Sequence, residues 1–252
     1  MRPWVSIVTP LYNGIEFLEE CAMSVCLQDC SNKHTNFTWE WWIGINGHED
    51  GGAVLAKARE VKAKCQGSIG DCEIHVINLP TARGKVAALN EMVPKCRGEW
   101  IAVLDCDDTW ERDKLMYQKL TIEKSRRHID VIGTHCRYFG EFVSDGPQLP
   151  SGYLQHWDMW RANPLINSSV LIRRELAVWE DRFVGLEDYD LWLRLREQDA
   201  VFFNVPKRLV NHRIHGKSAF NGQGRQDVAG LIEYHKIRHT IGGAKAFPLP
   251  KL

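Results

Sequence analysis

Three carboxylates fall within four residues in Leu104-Asp105-Cys106-Asp107-Asp108, directly after the apolar run Ile101-Ala102-Val103-Leu104. Such a run predicts a strand covered on both faces, and in open parallel sheets ligands sit beyond the carboxyl ends of the strands. Asp105 and Asp107 are two residues apart, so an extended backbone would turn both side chains to one side. At about 4 Å, two such charges repel by roughly 4 kcal/mol at an effective dielectric of 20. The pair calls for a proton or a cation, and Mg²⁺ or Mn²⁺ prefers oxygen ligands and diphosphates. Asp108 followed by Glu111 also fits a capping pattern for a following helix. That pattern does not account for Asp105 and Asp107.

A second acidic group, Glu187, Asp188 and Asp190, opens the segment Glu187-Asp188-Tyr189-Asp190-Leu191-Trp192-Leu193-Arg194-Leu195. Leu191 and Leu195 share one helix face. Carboxylates in a first turn are favoured by the helix dipole, so stability alone accounts for part of the pattern. A carboxylate aimed at a cleft could instead take a proton from a hydroxyl. Thr81-Ala82-Arg83-Gly84-Lys85 leads into a helix whose free N–H groups, with Arg83 and Lys85, can hold an anion. No Walker A spacing is present. Lys207, Arg208, Arg213 and Lys217 surround His212 and His215, which reads either as a solvated basic loop or as a lid over a diphosphate.

The elements that must position these groups alternate through the first half. Strands are expected at Trp4–Val8, Phe37–Ile45, Glu73–Asn78 and Trp100–Leu104, with helices at Ile15–Leu27, Ala53–Lys64 and Lys85–Val93. Regular alternation implies crossover units and a mostly parallel sheet. The second half is less regular: a helix over Glu111–Arg127, a strand over Val131–Phe139, a loop over 140–151 and a strand over Ser168–Ile172. A helix over Tyr189–Glu197 and a strand with a turn over Val201–Val210 follow. The residues from 241 to 252 read as a loose tail. Trp157 and Trp160 could stack on sugar faces or lie in the core.

The 252 residues suffice for one large domain with a shared core. Basic and acidic residues balance at 32 each, so no overall field draws the chain to nucleic acid. No apolar run approaches a membrane span, and the opening run is too short for a signal peptide. A cytoplasmic protein is expected, with peripheral membrane association allowed. Eight cysteines without a Cys-x-x-Cys pair read as scattered reduced thiols.

Five segments in order resemble the family 2 glycosyltransferases: Val5 to Gly14 (Val-Ser-Ile-Val-Thr-Pro-Leu-Tyr-Asn-Gly), Arg83-Gly84-Lys85 through Asn90, Asp105 to Asp108, Asn167-Ser168-Ser169-Val170 with Arg173, and Glu187-Asp188 through Arg194. The resemblance implies a GT-A fold: a Rossmann-like, mostly parallel central sheet flanked by helices, with a smaller acceptor-binding lobe. Residues 1–110 would form the nucleotide-sugar half, and 111–240 the acceptor and catalytic-base half of the same domain. By resemblance, Thr9, Pro10, Tyr12, Asn13, Asn46, Arg83, Lys85, Asn90, Asp105 and Cys106 line the nucleotide. Asp107 would be the direct metal ligand, with Asp105 on the ribose or metal and His215 near the metal or phosphates. Asp188 would be the base, Glu187 its neighbour on the acceptor, and Trp192 a wall of the acceptor pocket. Family members often carry Asp-Asp-Gly-Ser-x-Asp after the second strand. This chain has Ile45-Asn46-Gly47-His48-Glu49-Asp50-Gly51, with Asn46 in place of the first Asp; uridine is still the expected base, and the departure leaves guanosine and thymidine open.

The implied reaction is an inverting single displacement. It carries sugar from a nucleotide-diphosphate sugar, UDP-linked by expectation, to a hydroxyl of a glycan or glycoconjugate with Mn²⁺ or Mg²⁺. A nucleotidylyltransferase would share the sheet, the carboxylates and the metal but has no clear need for Glu187 and Asp188. An inactive nucleotide-sugar-binding module would have no need for both Asp107 and Asp188.

Overall fold

The computed structural model describes residues 2–30, 36–48, 52–216 and 226–242, without the side chains of 241 and 242. The expected loose tail lies almost wholly outside the described residues.

Strands β1 (Val5–Leu11), β2 (Trp39–Asn46), β3 (Glu73–Leu79) and β4 (Trp100–Val103) alternate with helices α1 (Leu18–Cys26), α2 (Gly52–Cys65) and α3 (Gly84–Met92). These four lie in the sheet in the order β3-β2-β1-β4. The first four strands are mutually parallel. Alternate residues of β1 serve two cores, because successive side chains point to opposite faces. Val5, Ile7 and Leu11 pack with Trp41 and Ile43 beneath α1 and α2, while Val8 packs with Ile101 and Val103 beneath α3. That double burial explains why these strands read as continuous apolar runs.

The later strands close the same sheet: β5 (Thr109–Trp110), β6 (Val131–Gly140), β7 (Gly152–Tyr153), β8 (Leu171–Arg173) and β9 (Phe202–Ile214). β8 runs antiparallel to both β4 and β6, while β6 and β9 are parallel. Helix α4 (Lys114–Lys124) joins the α1–α2 face, and α5 (Glu187–Glu197) packs with α6 (Val228–Gly242) on the α3 face.

Several expected boundaries move for tertiary reasons. Thr109 and Trp110 pair with Asn211 and Val210, so the expected helix from Glu111 starts only at Lys114. The turn expected within 201–210 is a register shift in one long strand, opposite His135. The strand expected from Ser168 begins at Leu171, after a 3-10 turn over Asn167–Ser169. All eight cysteines are free thiols, and the Cys30 thiol donates to the Gln28 carbonyl at 3.2 Å. Among the described residues no helix is long and apolar enough to cross a membrane.

Candidate active site

Because β1 lies between β2 and β4, the strand order reverses at β1, and sheets of this kind place ligands beyond the carboxyl ends of the strands at such a point. The acidic segment after β4 lies there, but not as an extended strand. Asp108 N–H donates to the Asp105 carbonyl at 3.1 Å, closing a turn. The turn sends the two carboxylates to different partners, which corrects the same-side expectation. Asp105 Oδ1 lies 2.5 Å from Lys85 Nζ, and Oδ2 accepts from Asn167 Nδ2 at 3.1 Å and Ser168 Oγ at 3.4 Å. Asp107 Oδ2 lies 2.9 Å from His215 Nε2.

Charge divides accordingly. Burial pushes the Asp105 carboxyl up, but the Lys85 charge and the bonds from Lys85 and Asn167 outweigh it, so it is held below the usual range. Asp107 goes the other way: burial, then the charges of Asp108 and Asp105, raise it against the His215 bond. A carboxyl raised by its acidic neighbours is one that a divalent cation would return to the ionised form. Asp108 is fully buried, accepting from Arg213 N–H at 2.8 Å, with His212 Nδ1 at 3.0 Å from its other oxygen. Burial works against the His212 cation, yet Asp108 raises its pKa to about 9. Asp108 therefore anchors β9 and does not cap α4, whose first residue follows Asp113.

The second acidic group lies within electrostatic reach of the first. Asp188, in the first turn of α5, is raised to about 6 by burial and then by the Glu187 charge, while Lys85 pulls it down. Lys85 in turn is raised, against its burial, by Asp105, Glu187 and Asp188. One ammonium thus lies within electrostatic reach of both acidic groups. Asn163 Nδ2 donates to Asp188 Oδ2 at 3.4 Å. Asp190 turns away, its carboxylate taken by Arg194 Nε at 2.8 Å and His235 Nε2 at 2.9 Å.

Just past β1, Tyr12 is exposed and stacks on His48 at 5.0 Å, and His48 Nε2 lies 2.9 Å from the Tyr12 carbonyl. Pro10 is partly exposed and Asn13 exposed beside it. Asn46 ends β2 with a buried amide oxygen that has no partner among the described residues. Arg83 donates to the Gly47 carbonyl at 3.1 Å, tying the start of α3 to the same loop.

Four expected contacts are corrected. Thr9 is fully buried and its hydroxyl accepts from Trp41 Nε1 at 2.9 Å, so it belongs to the core. Cys106 is buried, with its thiol directed at the Asn13 carbonyl, and braces the loop after β1. Both amide atoms of Asn90 are spent on the Trp179 peptide, at 2.8 and 3.2 Å, so it ties α3 to that segment. Trp192 is 0% exposed and packs edge-on to Phe202, which removes it from any acceptor pocket.

The expected basic cluster is also split. Lys207 lies over Tyr117 and Arg208 donates to the Asp145 carbonyl, both away from the acidic turn. Arg213 donates to the Asp107 carbonyl at 2.8 Å and pairs with Glu20. Lys217 lies outside the described residues. Trp157 and Trp160 are partly buried against the α5 core.

Among the described residues, one group of ligand-type side chains lies close enough to share an ion: Glu40, Glu73 and His75. It sits at the amino ends of β2 and β3, the opposite end of the sheet. Arg97 Nη2 already bridges both glutamates at 2.8 Å.

Comparison with known proteins agrees with this architecture. The sequence profile described as glycosyl transferase family 2 matches residues 6–178, more than half of the chain. The amylovoran biosynthesis glycosyltransferase AmsB of Erwinia amylovora is 23% identical over 97% of this chain and 83% of its own. S. aureus TarS, solved with UDP-GlcNAc, superposes with a TM-score of 0.67 at 13% identity, covering 92% of this chain and 66% of that one. The mannosyltransferase PcManGT of Pyrobaculum calidifontis, solved with GDP-Man and Mn²⁺, gives 0.63 at 17% identity, covering 87% and 59%. This chain therefore spans less than two thirds of either solved chain, and the shared fold is the GT-A glycosyltransferase fold.

Proposed function

Since this chain belongs to glycosyl transferase family 2, we propose that it transfers a sugar, with inversion, from a nucleotide-diphosphate sugar to a hydroxyl of a glycan or glycoconjugate. Uridine is the proposed nucleoside, and residues 1–110 and 111–240 are the proposed donor and acceptor halves. The observation that carries the reading is the contact of Lys85 with Asp105 together with its electrostatic action on Asp188, beside Asp107. The nucleotide sugars held by the two structural neighbours support the donor class.

Asp107 offers the hard oxygen ligand that Mn²⁺ or Mg²⁺ prefers, with Asp105 and His215 beside it. Once bound, the ion would offset negative charge on the departing diphosphate. Tyr12, Asn13 and Asn46 flank the space for the base, and the unpaired Asn46 oxygen can accept an imide or amide N–H. Arg83 and the free N–H groups at the start of α3 face the phosphates. Asp188, ionised above about pH 6, accepts the acceptor's proton as its oxygen attacks the anomeric carbon. Glu187 borders the acceptor.

The test is incubation with a panel of UDP-, GDP- and TDP-sugars, with Mn²⁺ and with EDTA, following release of nucleoside diphosphate. Metal-dependent release from one donor supports the reading. Pyrophosphate formation from a nucleoside triphosphate and a sugar phosphate would replace it with nucleotidyl transfer, and binding without turnover would leave an inactive module.

A further inference from the structure

Asp105 is held by the turn Asn167–Ser169: Asn167 and Ser168 donate to its carboxylate, and its own N–H donates to Ser168 Oγ at 3.2 Å. That turn is in turn held from behind. Trp110 Nε1 donates to the Ser168 carbonyl at 2.7 Å. Gln118 Nε2 donates to the Ser169 carbonyl at 2.9 Å and the Ile132 carbonyl at 3.0 Å. Both supports meet at Lys114, whose Nζ lies 2.9 Å from Gln118 Oε1 and 3.8 Å from the centre of the Trp110 ring.

Lys114 is fully buried and makes no ion pair among the described residues. A buried amine without a carboxylate is costly, and a methionine would fill similar volume without that cost. The amine supplies direction. A side-chain amide can be turned either way round, and here Lys114 Nζ donates to the Gln118 oxygen. Lys114 therefore requires the oxygen of Gln118 to face it, which aims the Gln118 NH₂ group at the two carbonyls. Its place over the Trp110 ring fixes the indole whose N–H reaches Ser168.

We propose that Lys114 is a positioning residue: by orienting Gln118 and Trp110 it sets the Asn167–Ser169 turn, and through that turn the carboxylate of Asp105. Its consequence for the donor rests on the function proposed above, whereas its consequence for the turn does not.

The experiment uses the full chain with Lys114→Met and with Trp110→Phe, which leaves an aromatic ring beside Lys114 and removes the indole N–H with its five-membered ring. Amide hydrogen exchange by mass spectrometry is followed across the chain, and calorimetry measures UDP affinity in MnCl₂. The expected result is faster exchange confined to residues 103–108 and 166–170 in both variants. UDP affinity should fall about tenfold or more, the usual cost of losing support behind a ligand-holding residue. Unchanged exchange in those segments overturns the proposal. So does a rise spread evenly over the sheet, which would make Lys114 an ordinary core residue. Should Lys114→Met not fold, Trp110→Phe decides by the same criterion. If the wild-type chain binds no UDP, the donor reading fails by itself and the exchange pattern still decides the role of Lys114.

Discussion

Lys85 Nζ lies 2.5 Å from Asp105 Oδ1, and the same ammonium pulls down the pKa of Asp188, on a helix that starts 102 residues after Lys85. One cation therefore sets the charge state of two carboxylates with different proposed duties. Lys85→Met should raise both carboxyl groups. The acid limb of kcat/KM, governed by Asp188, should move to higher pH, and donor KM should rise because Asp105 loses its counter-charge. A pH series of donor turnover checks both. An unmoved acid limb would separate Lys85 from Asp188.

Asp188 itself yields a sharper expectation. Its carboxyl is raised to about 6, so the wild-type rate should fall as pH drops through that value, where the base takes up a proton. Asp188→Asn keeps the shape and removes the base. Turnover should drop by at least about 10²-fold with donor affinity nearly intact. Steady-state kinetics beside calorimetric UDP binding reads the split, and near-normal turnover would remove Asp188 from its role.

The Asp108–His212 pair predicts a stability effect. Asp108 is fully buried and His212 is raised to about 9, above its ordinary 6.5. A raised folded-state pKa means the contribution is whole below about pH 6.5 and is lost as pH rises through about 9. Asp108→Asn leaves the His212 cation without its partner and should cost about 3 kcal/mol at neutral pH. The difference from wild type should shrink toward pH 9 and above. Urea unfolding at several pH values measures it, and a gap that stays constant across that range would contradict the pairing.

What could be read from the sequence follows from what each residue depends on. The strands β1 and β4 were legible because Val5-Ser6-Ile7-Val8 and Ile101-Ala102-Val103-Leu104 are apolar for a purely local reason, cover on both faces. The acidic cluster at 105–108 was legible as a cluster, but its geometry was not. A turn hydrogen bond, not strand periodicity, directs those carboxylates. Thr9 and Asn90 mislead because their side chains are taken by partners distant in sequence, Trp41 and Trp179, and Trp192 because its ring is buried against Phe202. Lys114 and Gln118 gave one signal, an i, i+4 polar pair on a helix. Nothing local distinguishes it from a solvated pair.

Trp192 was the expected wall of the acceptor pocket, and its burial changes what a substitution should do. Its ring packs edge-on to Phe202 at 6.4 Å between centroids, inside the core shared by α5 and β9. Its indole N–H has no partner there, so a phenyl ring would bury nothing unsatisfied. Trp192→Ala should cost about 3–5 kcal/mol through the cavity it leaves. Trp192→Phe should cost less, because part of the volume and the edge-on contact survive. Neither variant, assayed where it is folded, should shift the acceptor KM more than about twofold, since a residue touching no substrate changes no binding contact. Thermal unfolding together with acceptor titration tests this. A large acceptor effect in a stable Trp192→Phe protein would return the indole to the pocket wall.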